Sequence, residues 1–519
     1  MVMFLKTIKA GNHTYAQIVE SYKENGISKH RILLNFGRVE SIKESRGIKK
    51  LLRSLSALIE GKDIKAEEIP EGVMFNYGYL PYKKLWNDLE LPNILKKSSG
   101  NIEFSLNDSV FLMAVTHLLN PSSKLKAYNS QNGYLGLPDI KLHHLYRSLD
   151  ILADNKQTIE DHLFYRTKDL FNLSLDIVFY DVTTFYFESV KKDSLKDFGF
   201  FKDNKLNEVQ VVMGLLIDKN GMPVGYELFP GNTYEGKTLA KSLLKLKERF
   251  NIDRVIVVAD KGMNSRINLE KIKDMGFCYI ISLRLKSMNK ELLKKVLSRK
   301  DFIKDKNYDY KKLDLENKSL IVTYSEERAG NDAKKREKLI KKAMEYASKP
   351  SLIKASNKRG GKKYIENTGE CSYSLDEKAI LKDAAYDGYY AIETNDLNLT
   401  PQEIIVNYGM LWKIEESFRI MKSTMEVRPV FHWTEDRIKG HFMVCFLSFL
   451  LERNLEFKLK EKNIDYSPER IKEALNSMNI VEADMEDNKF IMKVKPLPLA
   501  QNIFAALRIN YPKNIPDTA

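Results

Sequence analysis

Cysteine is scarce in this chain: Cys278, Cys371 and Cys445 are the only three, far apart and without paired metal-ligand spacing. That argues against a disulfide framework or a zinc ribbon and leaves ordinary reduced thiols. Long apolar runs are missing too. The longest, Phe442 to Leu451, contains Ser448 and is too short to span a bilayer, so it is expected to be a buried helix. The opening residues Met1-Val2-Met3-Phe4-Leu5-Lys6 carry no extended apolar region and no small-residue cleavage site, which leads to an expectation of cytoplasmic residence. Histidine is sparse. Of the eight, the neighbours His143 and His144 diverge on a helix or on a strand and make a poor shared metal site.

Positive charge is abundant. A formal net charge of +14 predicts attraction to a polyanion, with nucleic acid the first candidate and a membrane surface the second. At 519 residues and 43% hydrophobic composition, the chain buries substantial cores, divides into several domains and is not disordered as a whole.

Short strand-like runs around Lys6-Thr7-Ile8 and Arg31 to Phe36, separated by turn signals at Gly11-Asn12-His13 and Asn25-Gly26, predict a small αβ module over residues 1–75. Residues 76–170 read as helical, with the run Ser109 to Leu119 stopped by Asn120-Pro121; this region suits DNA binding or dimerisation. Strands are then predicted at 175–187, 208–217 and 223–229, with Asp218-Lys219-Asn220-Gly221 turning between the last two. A helix over 234–249 follows, opened by a capping-box-like Asn232-Thr233-Tyr234-Glu235. A strand ending at Asp260, a helix near 265–275 and a strand at 277–283 complete a βββαβαβ order.

With one further helix this order is the ribonuclease-H-like layout, an α/β fold whose mixed sheet carries carboxylates at the ends of neighbouring strands. A catalytic core over 171–288 would then be interrupted by an inserted domain at 289–401, since so long a loop is improbable inside one domain. The core resumes with its final helices at 402–455, and 456–519 form a C-terminal region.

Three acidic residues fit that layout. Asp181 closes the apolar run Leu175 to Tyr180, Asp260 closes Arg254 to Ala259, and Glu415 lies in the helix-like stretch Tyr408 to Lys422. On one continuous helix Tyr408, Glu415 and Lys422 recur every seven residues, about 20° and about 10 Å apart, and so share a face. The adjacent Glu416 points about 100° away. Carboxylates gathered there suit hard divalent ions such as magnesium, which prefer oxygen ligands. Two ions about 3.5–4 Å apart serve in-line displacement at phosphorus. Singly, an aspartate after a strand also fits a turn or cap, Tyr408 also fits helix packing, and Lys422 a solvated surface.

The stretch Tyr408-Gly-Met-Leu411-Trp-Lys-Ile-Glu415-Glu-Ser-Phe-Arg-Ile-Met-Lys422 resembles the DDE transposases of bacterial insertion sequences, in particular the insertion-sequence-four-like group marked by Tyr-x2-Arg-x3-Glu-x6-Lys. Leu411 stands at the arginine position, and Arg419, four residues beyond Glu415, is the candidate substitute for its charge. The resemblance extends through Asp181-Val-Thr-Thr184, Gly225 to Thr233, Val258 to Met263 and Ser325 to Ala329, and so covers most of 170–450. It implies that Asp181, Asp260 and Glu415 hold two Mg2+ (or Mn2+) ions, and that water and then a transposon end's 3′-hydroxyl act as nucleophiles. Its implied partners are double-stranded DNA, as transposon ends and target, and a second copy of the chain in a synaptic homodimer. It places the protein at the nucleoid.

In related enzymes an aromatic residue on a strand of the inserted domain stacks on a flipped base. Tyr390, four residues before Thr394, is the candidate here, with Tyr389 on the opposite strand face. Phosphate contacts are sought at Arg359 and Lys362 within Asn357 to Lys363, and at Arg428, His432, Arg437 and Lys439. The basic run Lys334 to Lys342 reads more simply as a solvated helix. Two alternatives remain: a nuclease or resolvase on the same fold, and a domesticated DNA-binding protein without catalysis.

Overall fold

The computed structural model describes residues 2–11, 13–24, 27–39, 73–171, 176–199, 208–233, 237–250, 255–260, 264–348, 360–369, 372–485 and 488–512. Strands β1 (Val2–Ala10), β2 (His13–Glu24), β3 (Ile27–Arg38) and β4 (Val73–Asn76) open the chain. A helical layer follows: α1 (Leu80–Asp88), α2 (Leu91–Ser98), α3 (Leu106–Leu119), α4 (Lys124–Ser130), α5 (Leu142–Asp154) and α6 (Lys156–Phe171). Then come β5 (Ile177–Tyr186), β6 (Gln210–Asp218), β7 (Pro223–Pro230), α7 (Thr238–Phe250), β8 (Ile256–Ala259), α8 (Arg266–Asp274) and β9 (Cys278–Ser282).

The next stretch contains α9 (Lys290–Leu297), β10 (Ile303–Lys304), β11 (Asp309–Leu315), β12 (Lys318–Tyr324) and α10 (Glu326–Ala347). It continues with β13 (Ile365–Gly369), β14 (Ser372–Leu375), α11 (Glu377–Ala384) and β15 (Tyr389–Thr394). The chain then runs through α12 (Pro401–Gly409), α13 (Trp412–Arg419), α14 (Glu435–Lys460), α15 (Pro468–Asn476), β16 (Asn479–Met485), β17 (Asn488–Val494) and α16 (Pro498–Ala506).

The central sheet has nine strands in the order β10-β11-β12-β15-β9-β8-β5-β6-β7. The pairs β5–β8 and β8–β9 are parallel and the others antiparallel, so the sheet is mixed. Strand β6 is buried at every position, as expected of an apolar run with neighbours on both sides. Its turn into β7 is held by Asp218, whose Oδ1 accepts from the backbone N–H groups of Asn220 and Met222, and Gly221 supplies the positive φ. The strands of 303–394 add to this same sheet: β15 pairs with β9, and β12 with β15. The hairpin β13–β14 lies apart from it.

A second sheet joins the two ends of the chain in the order β1-β2-β3-β17-β16-β4. Lys493 pairs with Asn35 and Ile480 with Phe75, so residues separated by most of the sequence form one layer.

Helix α14 is buried along most of its length and packs on α1, α3, α5 and β7. It contains the Phe442–Leu451 run expected to be a buried helix, and no helix among the described residues is long and apolar enough to cross a membrane. The crossing with α5 depends on Gly440, where a methyl group would lie 2.0 Å from the Leu149 carbonyl oxygen. Backbone on both sides leaves no room to yield. Gly440→Ala should therefore destabilise the protein by roughly 2–4 kcal/mol, read as a lowered denaturation midpoint with an unchanged slope.

Lower on α14, Tyr82 donates to Glu452 Oε2 at 2.6 Å, and burial pushes the Glu452 carboxyl up to about 8. A carboxyl whose folded value is raised binds its proton more tightly in the native state. Its contribution is therefore complete below the ordinary carboxylate range and fades as pH climbs to about 8. Glu452→Gln should gain on the parent by at least ~1 kcal/mol between about pH 5 and about pH 8, in denaturant titrations at the two pH values.

Candidate active site

Asp181 lies within β5, not at its end: the strand continues to Tyr186. Its neighbour Tyr180 is fully buried, and its hydroxyl accepts from Ser242 Oγ of α7 at 3.3 Å. Room for that ring comes from Gly214 on β6, where a methyl group would meet the Tyr180 hydroxyl at 2.4 Å. With Tyr180 turned toward α7, strand alternation turns Asp181 toward the opposite face. Phe185 shares the Asp181 face and meets Phe442 of α14, while α13 packs on β5.

Asp260 immediately follows β8. The parallel register pairs Tyr180 with Ala259, so Asp181 and Asp260 are successive neighbours on adjacent strands, whose spacing is about 4.8 Å. Glu415 is exposed on α13 and lines one surface cleft of about 780 Å³ together with Asp260, Tyr408, Tyr390, Leu411 and Arg328. The cleft thus unites a strand end, the last helices and α10 from the 289–401 stretch. Asp181 is not among its lining residues. Nor are the three carboxylates drawn together as tightly as the one group among the described residues whose potential ligand atoms all lie within 4.8 Å of each other, which lies elsewhere.

The expected continuous helix from Tyr408 to Lys422 is interrupted. Helix α12 ends at Gly409, α13 begins at Trp412, and Lys422 lies in a π turn over Ile420–Thr424. Between the helices, Leu411 N–H donates to the Tyr408 carbonyl and Ile414 N–H to that of Leu411, three residues back in each case. This tightening at a glycine, a poor helix former, changes the rotation per residue, so a strict seven-residue alignment does not hold across it. Tyr408 and Glu415 nevertheless face the same cleft. Lys422 sits with Nζ 5.8 Å from the Phe185 ring centroid, on the Asp181 face of β5.

Tyr408 is the residue that reaches Asp260: its hydroxyl lies 3.5 Å from Oδ1, at the long limit of a hydrogen bond. Tyr390 donates to the Tyr408 hydroxyl at 2.6 Å, and burial holds the Tyr408 phenol well above its ordinary range. The Tyr390 ring also carries the Arg328 guanidinium at 4.1 Å, so a base stacking there would displace that cation. Tyr389 points away, donating to the Leu297 carbonyl.

Glu416 is held by Arg453 at 3.2 Å and by Arg419 at 3.4 Å, which leaves Glu415 as the carboxylate on the cleft. Arg419 therefore lends its charge to Glu416. Leu411, at the arginine position of the motif, is buried on the cleft wall. Lys362 lies over the Tyr346 ring and is not part of the cleft lining; Arg359 falls outside the described residues, as does Glu235 of the expected capping box. Arg437 faces Asp150 at 3.5 Å, Lys439 pairs with Glu435 at 2.6 Å, and Arg428 lies over the Tyr186 ring.

Comparison with known proteins gives two family matches. Residues 5–67 match the IS1634 family transposase N-terminal domain, which replaces the insertion-sequence-four-like grouping suggested by the helix motif. Residues 173–451 match the transposase DDE domain. No curated protein matches. Among solved structures, the piggyBac transposase synaptic complex with hairpin DNA is similar at 9% identity and a TM-score of 0.40, over 86% of this chain and 87% of that one. The Mos1 transposase paired-end complex with left transposon end is similar at 14% identity and a TM-score of 0.15, over 46% and 69%. Likenesses at these scores bear on neither fold nor chemistry. The DDE-domain match spans more than half of the chain, and the protein belongs to the DDE transposases of bacterial insertion sequences, enzymes that use divalent metal ions to cut DNA and transfer its strands.

Proposed function

We propose that this transposase binds the ends of its own insertion sequence, cleaves them and joins their 3′-hydroxyls to target DNA, with Asp181, Asp260 and Glu415 as ligands of two Mg2+ or Mn2+ ions. The observation that carries the reading is the β5–β8 register, which sets Asp181 beside Asp260, together with the cleft that Asp260 shares with Glu415. The donor set is entirely carboxylate oxygen, which fits hard divalent ions. Glu415, on a helix facing the cleft, supplies the third carboxylate. When bound, such ions polarise the scissile phosphate and lower the pKa of an attacking hydroxyl.

The chain's own residues do the rest. Tyr408 orients Asp260 through its hydroxyl and is itself set by Tyr390. Arg328 and Lys335 bring positive charge to the cleft wall, where they attract the DNA backbone. Lys422 lies on the Asp181 side, where it suits a phosphate. The core is then ribonuclease-H-like over 171–288 and 402–455, and 289–401 is an insertion whose strands extend its sheet. The Tyr408, Glu415 and Lys422 signature is then of the insertion-sequence-four-like kind inside an IS1634-type chain, carried by two helices and a π turn. The active assembly is a homodimer that pairs two ends.

Asp181→Asn, Asp260→Asn and Glu415→Gln should each lower end cleavage at least ~10³-fold, the loss of several kcal/mol of charge stabilisation, while end binding stays within about threefold. Parallel loss of binding and cleavage in gel-shift and nicking assays would contradict the assignment. Labelled ends that are cut yet never joined to target would favour the nuclease reading. Tyr408→Phe should keep the fold and raise the Mg2+ concentration for half-maximal cleavage about tenfold, as expected when a ligand loses its orienting hydrogen bond.

A further inference from the structure

Outside the cleft lining, three ligand-type side chains meet in the helical core: His117 near the end of α3, and His441 and Cys445 one turn apart on α14. All three are buried, at 3%, 6% and 0% exposure, and their potential ligand atoms lie within 4.8 Å of one another. Cys445 Sγ is 3.3 Å from His117 Nε2 and 3.6 Å from His441 Nε2. Nitrogen and sulfur ligands at ordinary zinc bond lengths, set at the tetrahedral angle, are separated by about 3.6 Å. The cluster therefore already has the spacing of a first coordination shell.

The His441 edge nearer the sulfur is Nε2, while Nδ1 faces Lys124 Nζ at 3.5 Å. His432 stands beside the group with its ring centroid 5.0 Å from that of His441.

We propose that His117, His441 and Cys445 form a structural site for a thiophilic d10 ion, Zn2+ or Cu+, that ties α3 to α14. Binding replaces the Cys445 S–H bond with an S–metal bond and releases the proton to solvent. The softness of thiolate and imidazole selects this class of ion over the magnesium of the carboxylate site. The two sites are chemically separate, and this one does not depend on the catalytic assignment. Since Phe442 beside His441 packs on Phe185 of β5, the ion would brace the helix that backs the Asp181 strand.

The test is elemental analysis of the full-length enzyme after extensive dialysis against magnesium buffer without chelator. About one zinc or copper per chain is expected, and which element is found decides between the two ions. Cobalt reconstitution should give a thiolate-to-cobalt charge-transfer band, lost in Cys445→Ser. A strong thiol-compatible chelator should lower the melting temperature of the parent. Neither metal, no band on adding Co2+ and a melting temperature indifferent to chelator would overturn the proposal. All three readings are available on the parent protein, so they stand even where Cys445→Ser fails to fold.

Discussion

The site depends on one piece of backbone pairing, the parallel alignment of β5 with β8 that sets Tyr180 opposite Ala259 and hence Asp181 beside Asp260. Two carboxylates held next to each other are unfavourable as a pair of like charges, and burial of the flanking residues holds them there. Val178, Phe179, Tyr180, Val257, Val258 and Ala259 are all sealed in the core. A slip of one residue in β5 would send Asp181 to the α7 side and Tyr180 to the other, at the cost of the Tyr180 pocket over Gly214. Apolar packing on one face thus fixes where the carboxylates stand on the other.

The second requirement is delivery of a helix to that strand pair from more than 140 residues away in sequence. Strands β12 and β15 extend the sheet beyond β9, and α12 packs against β15, β9 and β8. This brings Tyr408 within reach of Asp260, and the tight turn at Gly409–Leu411 then carries the chain into α13 with Glu415 on the same cleft. The extension of the sheet also brings Arg328 and Lys335 of α10 to the cleft wall, so the 289–401 stretch supplies part of the cleft's electrostatics.

The local patterns were legible where a single physical signal dominated. The apolar runs ending near Asp181 and Asp260, the Asp218–Gly221 turn and the apolar centre of α14 all read directly, because burial and turn chemistry act over a few residues. What depended on distant partners did not. Nothing in residues 2–38 signals that β3 would pair with β17, since both partners look like ordinary edge strands until they meet. The break at Gly409 was hidden by the strong periodicity of Tyr408, Glu415 and Lys422. Arg419 meets Glu416 together with Arg453, a partner 37 residues further along the chain. Cys445 read as an isolated thiol because its partner His117 lies 328 residues away in sequence and only the i, i+4 spacing to His441 was local.

The central claim is that Asp181, Asp260 and Glu415 hold the same pair of divalent ions. Anomalous diffraction from crystals of the enzyme soaked in Mn2+ tests it most directly. The account predicts two manganese peaks about 3.5–4 Å apart, both lying among the carboxylates of Asp181, Asp260 and Glu415. Manganese bound without Asp181, or with Glu415 turned out of the cleft, would contradict it.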